Sequence, residues 1–291
     1  MIDLHTHTTA SDGRCTPEDL VARAKAAGVS VLSVTDHDTV AAGDAAAAAC
    51  AAAGIEFVSG IEITAVQDGT DVHVLGYFID RESSDLREFL VAQRRQRIER
   101  VRQIIDRLAR LGIHLDAEAI LRPGLDDSGR AAGRPWVARA LVAGGHVKDT
   151  NAAFDQWLSR GRPAFMPRLA AAPREVFARI HAAGGLASMA HPGLVGRDEW
   201  IHGYAASGLD AIEAYHTNHD PRLTAHYCAT AERLRLCVTG GSDYHADESH
   251  GAATPGCVSL PRAAYDDLVR LPALRATEGK ADTTTARPPR T

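Results

Sequence analysis

The sequence opens with Met1-Ile-Asp-Leu-His5-Thr-His7-Thr-Thr-Ala-Ser-Asp12-Gly13, and the pattern of this stretch recurs along the chain. A short apolar run, Ile2–Leu4, predicts a β-strand that leads into a His-x-His pair. Side chains alternate between the two faces of a strand, so His5 and His7 should point the same way. Two imidazoles on one face can form half of a metal site. Alone, the pair is weak evidence, because an exposed edge strand can carry the same pattern.

Composition restricts the class of protein. The 291 residues are enough for one large domain or two smaller ones. The net charge of -5 gives no sign of a surface that wraps nucleic acid. Five scattered cysteines without a Cys-x-x-Cys pair predict reduced thiols and a cytoplasmic protein. We see no signal stretch or membrane-length apolar run, so we expect no membrane contact, and no protein partner is evident.

Apolar runs followed by an acid or a histidine predict further strands, and helices with Pro or a capping residue at the start lie between them. This order of elements predicts an α/β fold with a mainly parallel sheet. The candidate groups are His37 after Val29–Val34, Glu62 between Ile61 and Ile63, His73 within Asp71–Phe78, His191 after Leu186–Ala190, and Asp243 and His245 after Leu236–Thr239.

The middle of the chain has a different pattern. Residues 85–111 have apolar positions at helical spacing with arginine over much of the remainder, and shorter helices are predicted after them. A Gly/Asp-rich turn is expected over Pro123–Gly133, and no strand is predicted between residues 85 and 168. The expected domains are an α/β domain over 1–84 and 169–275, which carries the candidate groups, a helical insertion over 85–168, and a disordered tail over 276–291.

The candidate groups should meet at one place, because the carboxyl ends of parallel strands converge on one mouth. They are too many for a single structural zinc with four ligands. Mixed imidazole and carboxylate donors suit Mn, Fe or Zn, and two or three ions could share bridging carboxylates. Any one histidine could be a core or surface residue, but their joint placement favours a metal centre. The nine candidates are His5, His7, Asp12, His37, Glu62, His73, His191, Asp243 and His245.

These segments resemble the motifs of the PHP (polymerase and histidinol phosphatase) family. They are Asp-Leu-His5-Thr-His7, Ser-Asp12-Gly, Thr-Asp-His37-Asp, Gly-Ile-Glu62-Ile-Thr, Val-His73-Val-Leu-Gly, Ala-His191-Pro and Gly-Ser-Asp243-Tyr-His245. The chain is more closely similar to the branch of small-nucleotide phosphoesterases, which remove a phosphate from 3',5'-bisphosphorylated nucleosides and trim short RNA. The likeness extends into the insertion, at Gly133-Arg134 and at Gly161-Arg-Pro-Ala-Phe165.

The resemblance implies a distorted, TIM-like (β/α)7 barrel that holds two to three divalent ions, manganese first and iron or zinc otherwise. It assigns His5, His7, Glu62 and Asp243 to one ion, Glu62, His73 and His191 to a second, and Asp12, His37 and His245 to a third. The implied activity is a metal-dependent phosphoesterase, a hydrolase that uses a metal-bound hydroxide. Its catalytic groups would be Asp12, His37, His191 and Asp243, and its substrate a small nucleotide or short oligonucleotide.

Three residues are candidates for contact with substrate or for its positioning. Arg134 could clamp a phosphate, because guanidinium binds phosphate oxygens in pairs, although it could also be a surface residue at a helix start. His219 could reach the substrate, although a solvated loop histidine is favoured. The similar branch often has histidine where this chain has Trp136, which could stack on a base but is expected to pack between insertion and barrel.

The residues beside His37 and on the long helix have two interpretations each. Asp36 and Asp38 could accept imidazole N–H groups, or they could be solvated loop acids, which we favour for Asp38. The arginine-rich face of helix 85–111 could guide RNA phosphates, but interspersed acids favour a solvated face.

Other functions are possible for this pattern. A phosphatase of histidinol phosphate or another small phosphomonoester would use the same groups. A non-catalytic, metal-binding accessory module is a second alternative, although all nine expected ligand positions are filled. A barrel hydrolase of C–N bonds would need a lysine at a strand end, and none of Lys25, Lys148 and Lys280 lies at one.

Overall fold

The structure, a computed structural model, describes residues 1–126, 129–247 and 251–271. Its seven strands are β1 (Ile2–Asp3), β2 (Val31–Val34), β3 (Glu56–Gln67), β4 (Thr70–Tyr77), β5 (Leu186–Met189), β6 (Ala211–His216) and β7 (Cys237–Gly241). They form one sheet in sequence order. β1 to β3 are parallel, β4 is antiparallel to both of its neighbours, and β5 to β7 are parallel again. The antiparallel β4 is what distorts the expected α/β barrel.

The sheet curves into a nearly closed barrel, because its first and last strands meet. The amide of Leu4, directly after β1, donates to the carbonyl of Gly240 in β7 at 3.2 Å. Asp3 reinforces this seam with a fully buried carboxylate. The carboxylate accepts hydrogen bonds from Ser242 Oγ at 2.6 Å and from the Gly256 amide at 2.7 Å. The predicted barrel is therefore confirmed.

β3 is one continuous strand of 12 residues that runs through Gly60. Residues 56–59 pair with β2, and the rest of the strand pairs with β4. A Cβ at Gly60 would lie 2.2 Å from Ser33 Oγ, so only glycine lets β2 approach where the pairing partner changes. The resulting β3–β4 hairpin carries Glu62 on one strand and His73 on the other.

The helices begin and end largely where their capping residues predict. They are α1 (Pro17–Ala26), α2 (Gly43–Ala53), α3 (Ser84–Arg110), α4 (Ala117–Asp126), α5 (Arg134–Ala143), α6 (Thr150–Ala153), α7 (Pro173–Ala182), α8 (Pro192–Val195), α9 (Glu199–Ala206), α10 (Pro221–Leu234) and α11, over 262–271. The Thr16 side chain caps α1 by accepting the amide of Asp19. Gly54 ends α2 in the left-handed region, with φ 68°. α6 continues into one π-helical turn, Phe154–Leu158.

The described part of residues 85–168 contains helices and no strand, as predicted. Apolar side chains of α3, α4, α5 and the π-helical turn pack into a cluster of their own, which includes Val101 and Val137. One boundary was wrong, because α4 continues through Pro123, where a turn was predicted. Packing of Leu121 in this cluster overrides the local preference of proline.

The C-terminal part of the barrel contains a helix that the sequence did not predict. Tyr265 and Leu268 of α11 are buried in the same cluster as Ile2 and Leu4, so this helix covers the β1 side of the barrel. The predicted disordered tail, 276–291, lies outside the described residues.

None of the five cysteines forms a disulfide, and Cys15 and Cys50 are buried whereas Cys257 is exposed. Among the helices of the described ranges, none combines the length and apolar character that a bilayer crossing requires.

Candidate metal centre

All nine candidate ligands meet at the mouth of the barrel. They come from the loop after β1 (His5, His7, Asp12), the loop after β2 (His37), β3 (Glu62), β4 (His73), the residue before α8 (His191) and the loop after β7 (Asp243, His245). His37 and His73 are partly exposed and the other seven are buried. β1 ends two residues before His5, but the backbone stays extended enough for both N-terminal imidazoles to enter the mouth.

The first set of four donor atoms has the spacing of a metal coordination sphere. Nε2 of His5 and Nε2 of His7 lie 3.1 Å apart. The two nitrogens lie 3.5 and 3.2 Å from Glu62 Oε2, and both lie 3.3 Å from Asp243 Oδ1. Four ligands placed about 2.1 Å from an ion in a tetrahedron would be about 3.4 Å apart. These donors can therefore surround one ion without rearrangement.

The second set is built on the other oxygen of the same carboxylate. Glu62 Oε1 lies 2.8 Å from Nδ1 of His73 and 3.2 Å from Nε2 of His191. The two oxygens of Glu62 thus face two separate groups of imidazoles. A carboxylate in this position can bridge two ions.

The third set surrounds Asp12. Oδ1 of Asp12 lies 3.2 Å from Nε2 of His245, and Oδ2 lies 3.6 Å from Nε2 of His37. Nδ1 of His37 lies 3.0 Å from Glu62 Oε2, so this imidazole stands between the third set and the other two. The three sets that the resemblance implied are each brought together.

Buried polar atoms at the mouth fit a cation better than they fit one another. Nδ1 of His37, Oε2 of Glu62 and Nδ1 of His73 lie close to one another, but none of them makes a hydrogen bond of acceptable geometry with the residues that the structure describes. Buried polar atoms in proteins nearly always have a partner. Lone pairs that converge without a hydrogen between them suit a divalent cation, and this mixture of nitrogen and oxygen donors fits Mn, Fe or Zn.

The charges at the mouth also favour a cation. Burial alone would raise the pKa of the Glu62 carboxyl, but His37, His73 and His5 hold that pKa well below its usual value. Burial opposes a proton on His7, yet Asp243 and Glu62 raise the pKa of this imidazole to about 10, so these two carboxylates attract positive charge to this position. Burial lowers the pKa of His37 to about 4, which leaves a neutral imidazole with a free lone pair at neutral pH. The site therefore combines ionised carboxylates with imidazole ligands.

Two residues of β6 belong to this site and were missed in the sequence. Oε1 of Glu213 lies 2.9 Å from Nδ1 of His5, and Oε2 of Glu213 accepts the amide of His191 at 2.7 Å. Nε2 of His216 lies 3.4 Å from Asp243 Oδ2. A signal was present, because Glu213 interrupts an apolar strand just as Glu62 does.

The backbone is strained at two of the nine candidates. His191 has φ 27° and Asp243 has φ 55°, in the region that side chains other than glycine rarely adopt. Such conformations persist only where surrounding contacts hold them. The Glu213 bond to the His191 amide, and the Asp243 amide bond to the His5 carbonyl at 2.8 Å, are contacts of this kind.

The two acids that flank His37 have roles other than those expected. Asp36 accepts hydrogen bonds from the Thr8 amide at 2.7 Å and from Ser11 Oγ at 2.6 Å, so it holds the first loop and not an imidazole. Asp38 is buried and accepts a hydrogen bond from Arg97 Nε, so it is not a solvated loop acid. The cause is tertiary, because α3 packs over the loop after β2.

Arg134 and Trp136 both start α5, at the boundary between helices and barrel. Nη2 of Arg134 lies 3.7 Å from Asp71 Oδ2, and its guanidinium lies 5.7 Å from the centre of the Phe154 ring. Trp136 is buried in the helical cluster, and its Nε1 donates to the Ser11 carbonyl of the first loop at 3.2 Å. This geometry agrees with the packing role expected for Trp136.

His219 is not the solvated loop histidine that the sequence favoured. It is buried, because α10 and the turn after β5 enclose it. Its Nδ1–H donates to the Ala214 carbonyl at 2.9 Å, and its Nε2 accepts the Gly193 amide at 3.3 Å. Burial lowers the pKa of His219, and contact between this residue and substrate stays a prediction.

The arginine-rich face of α3 is only partly solvated, which corrects the favoured interpretation. Arg97 and Arg100 are each 7% exposed and face the barrel. Arg95 and Arg102 are exposed on the outer side.

Known proteins resemble this chain over most of its length. The sequence pattern of the PHP domain family matches residues 3–133. A 5'-3' exoribonuclease from Haemophilus influenzae is 33% identical over 258 residues, 84% of this chain and 89% of the relative. A 3',5'-nucleoside bisphosphate phosphatase from Chromobacterium violaceum is 33% identical over 265 residues, 89% of this chain and 92% of the relative.

The fold is also similar to that of a solved structure described provisionally as a metal-dependent phosphoesterase, from Bifidobacterium adolescentis. The TM-score is 0.83 at 30% identity, over 92% of this chain and 94% of that one. A match over 92% of this chain includes the barrel and the helices between β4 and β5. Together with the sequence relatives, it shows that this chain belongs to the PHP domain family and is a metal-dependent phosphoesterase.

Proposed function

We propose that this phosphoesterase removes a phosphate from 3',5'-bisphosphorylated nucleosides and trims the 5' ends of short RNA. The observation that carries the proposal is the buried mouth in which nine imidazole and carboxylate groups converge with metal-ligand spacing. The names of two relatives support nucleotides as the substrate class, since one is a nucleoside bisphosphate phosphatase and the other a 5'-3' exoribonuclease.

We propose two to three divalent ions at the mouth, with manganese as the first candidate and iron or zinc as the others. His5, His7, Glu62 and Asp243 would hold one ion, Glu62, His73 and His191 a second, and Asp12, His37 and His245 a third. When bound, such ions lower the pKa of a water molecule and offset the negative charge of a phosphate.

The residues of the chain itself orient the reactants and keep the site charged. Asp12 and Asp243 stay ionised, because neighbouring imidazoles hold the pKa of each carboxyl well below its usual value in spite of burial. Burial of the mouth keeps bulk water away, which strengthens every charge interaction there. Asp12, His37, His191 and Asp243 are the proposed catalytic groups, and Arg134 and His219 the proposed substrate contacts.

The division of the chain is part of the same proposal. Residues 1–84 and 169–275 would form the metal-binding barrel, and residues 85–168 would form a helical insertion that contacts the substrate. The position of Arg134 and Trp136 at the boundary supports this role, because Trp136 contacts the loop that carries Asp12. The cytoplasmic location stays a prediction.

The test is phosphate release by the manganese-loaded protein from four substrates: 3',5'-adenosine bisphosphate, 5'-AMP, histidinol phosphate and a short 5'-phosphorylated RNA. We expect release from the bisphosphate and the RNA, and loss of that release in His191→Ala. The matched control is His202→Ala, which removes an exposed imidazole of α9.

The four substrates separate the alternatives. Release from histidinol phosphate alone would replace the nucleotide proposal with the small-phosphomonoesterase alternative. No release from any substrate, with two or more ions bound per chain, would contradict the proposal and favour an accessory role.

A further inference from the structure

Four arginines come together where α3 and α5 pack against the β3–β4 hairpin. This arginine cluster consists of Arg97 and Arg100 on α3, Arg134 at the start of α5, and Arg168 before α7. The side chain of Arg168 is 11% exposed, and that of Arg134 is 26% exposed. Arg97 and Arg100 lie deeper, so Arg134 forms the open side of the cluster.

The cluster carries more positive charge than its carboxylates neutralise. Asp38 accepts from Arg97 and lies 3.7 Å from Nη1 of Arg168. Asp71 Oδ2 lies 3.5 Å from Arg168 Nε and 3.7 Å from Arg134 Nη2. Four guanidinium groups against two carboxylates leave these six side chains with a balance of +2. Uncompensated charge in a buried place is unfavourable, so the cluster favours an anion.

Two guanidinium nitrogens in the cluster need an acceptor. Nη2 of Arg100 and Nε of Arg168 are buried and form no hydrogen bond with residues 1–126, 129–247 and 251–271, although Arg168 Nε forms an ion pair with Asp71 at 3.5 Å. Nε of Arg100 donates to the Met166 carbonyl at 2.9 Å, which fixes the direction of its guanidinium. Buried donors of this kind nearly always have a partner, so a ligand with acceptor oxygens fits here.

The pKa values of the same groups agree with a shortage of anions. Burial, together with Arg97 and Arg100, lowers the pKa of Arg168 to about 9. Burial and the neighbouring Arg134 lower the pKa of Arg100 to about 10. An unperturbed arginine titrates above about 12.

The cluster adjoins the metal centre through β4. Asp71, which contacts two of the arginines, lies two residues before His73 and on the same face of the strand. Two residues along a strand span about 7 Å. One ribose can bridge such a distance between its 3' and 5' phosphates.

We propose that the arginine cluster binds the phosphate that is not cleaved, while the phosphate to be cleaved lies at the metal centre. Its ligand is the other phosphate of a nucleoside 3',5'-bisphosphate, or the next phosphodiester of a short RNA. This inference rests on the proposed function and deepens it, because it explains a preference for substrates with a second phosphate. Paired guanidinium nitrogens match phosphate oxygens in geometry and charge.

Arg97 is not a suitable position for a test variant, because its side chain holds neighbouring segments together. It donates to Asp38, to the Ala132 carbonyl at 3.3 Å and to Thr64 Oγ1 at 3.0 Å. Its replacement would disturb the contact between α3 and the hairpin. Within the described ranges, Nη2 of Arg100 makes no hydrogen bond, and Arg168 makes only ion pairs, at 3.5 and 3.7 Å, so the Arg100 and Arg168 variants report on the ligand.

The experiment compares kcat/KM of manganese-loaded Arg168→Gln and Arg100→Gln on three substrates. These are 3',5'-adenosine bisphosphate, a 5'-phosphorylated dinucleotide RNA, and p-nitrophenyl phosphate, which has a single phosphate. We expect each variant to lose about 10- to 100-fold more on the first two substrates than on the third, the range for hydrogen bonds to charged groups. A larger loss on the bisphosphate than on the RNA would identify the terminal phosphate as the preferred ligand.

Two further variants serve as controls for the effect of charge and for the loss of any arginine from α3. Arg168→Lys keeps the charge and should lose less than Arg168→Gln on the bisphosphate. Arg102→Gln removes an exposed arginine from the same helix and should leave the ratio between substrates unchanged. Manganese content and urea unfolding of each variant establish that it is folded and loaded.

The possible failures are distinguishable. Equal losses on all three substrates, with full metal content, would overturn the subsite and leave the proposed function intact. If the wild type hydrolyses neither the bisphosphate nor the RNA, the proposed function fails. Titration calorimetry with inorganic phosphate then tests whether the arginine cluster binds phosphate. If the wild type binds a phosphate ion that Arg168→Gln does not bind, the proposed subsite stands. Equal phosphate binding by the wild type and Arg168→Gln would overturn it.

Discussion

Glu213 is fully buried in β6 and contacts two proposed ligands at once. Its two oxygens bind Nδ1 of His5 and the backbone amide of His191. A carboxylate on the far nitrogen of a metal-binding imidazole fixes the ring orientation and raises its basicity. Glu213 is therefore a positioning residue for the proposed first and second ions.

Replacing Glu213 by glutamine should weaken metal binding while the fold is kept. The amide has the shape of the carboxylate but no charge, so we expect manganese affinity to fall about 10- to 100-fold. Titration calorimetry with manganese measures the affinity, and circular dichroism monitors the fold. Glu213→Asp, which keeps the charge with a shorter reach, should recover part of the loss.

The matched control for this prediction is Glu232→Gln, which neutralises an exposed carboxylate on α10. It should bind manganese as the wild type does. Wild-type affinity in Glu213→Gln would show that Glu213 does not position the ligands.

At the level of elements, α5 links the helical cluster that includes Val101 and Val137 to the barrel mouth. Trp136 packs in the helical cluster and donates to the Ser11 carbonyl. Ser11 Oγ in turn donates to Asp36, and Asp12 follows directly in the chain. One indole thus connects the position of α5 to the loop that carries a proposed ligand.

Trp136→Phe keeps an aromatic ring in the cluster but removes the N–H donor. The Ser11 carbonyl then loses a buried partner, and we expect the free energy of unfolding to fall by about 1 kcal/mol from this bond. Urea unfolding measures the change. Further loss is expected from the smaller ring.

Trp157→Phe is the matched control, because it measures the loss of stability that comes from the smaller ring alone. Trp157 packs against the same cluster, but its Nε1 has no hydrogen-bond partner in the part of the chain that the structure describes. Its replacement removes no hydrogen bond and should destabilise the protein less. Equal losses in the two variants would show that the Ser11 bond contributes nothing.

For the whole molecule, the mouth joins loops from both ends of the sequence. Ions bound there would connect the loop after β1, the β3–β4 hairpin and the loop after β7. A ligand that binds only the folded state stabilises it, by about 2.7 kcal/mol when its concentration is 100 times its Kd. We therefore expect chelation by EDTA to lower the thermal unfolding midpoint of the manganese-loaded protein.

Glu62→Gln is the comparison for this experiment, because Glu62 contributes to two of the proposed sites. Its midpoint should respond less to EDTA than that of the wild type. A wild-type midpoint that is the same with and without EDTA would contradict a metal-supported mouth.

Much of the fold and the candidate site could be predicted from local patterns. Thr16 with Pro17 and the left-handed Gly54 mark helix ends, because capping depends on a few neighbouring residues. Glu62 is visible as an acid between two isoleucines. Glu213 has the same signature, and its role went unnoticed because the strand that carries it matched no motif.

Other features could not be predicted, because they depend on which elements pack together. Asp38 is a loop acid in the sequence, and only α3 packing over it makes it a buried partner of Arg97. Pro123 marks a turn locally, but the packing of α4 keeps it helical. Arg100 and Arg168 are far apart in the chain, and no spacing rule relates them.

The sequence by itself determined the α/β class and the nine groups of the candidate site, because alternation, capping and strand-end positions are properties of short segments, and its resemblance to the PHP family added the barrel. Only the tertiary structure decided which further groups join the site. Glu213, Arg100 and Arg168 become buried only when distant elements pack together. A charge that is removed from water is costly unless it is paired, so each of these groups requires a partner. Short segments of the sequence thus specify the candidate ligands, while the packing of distant segments sets the burial and the charges around them.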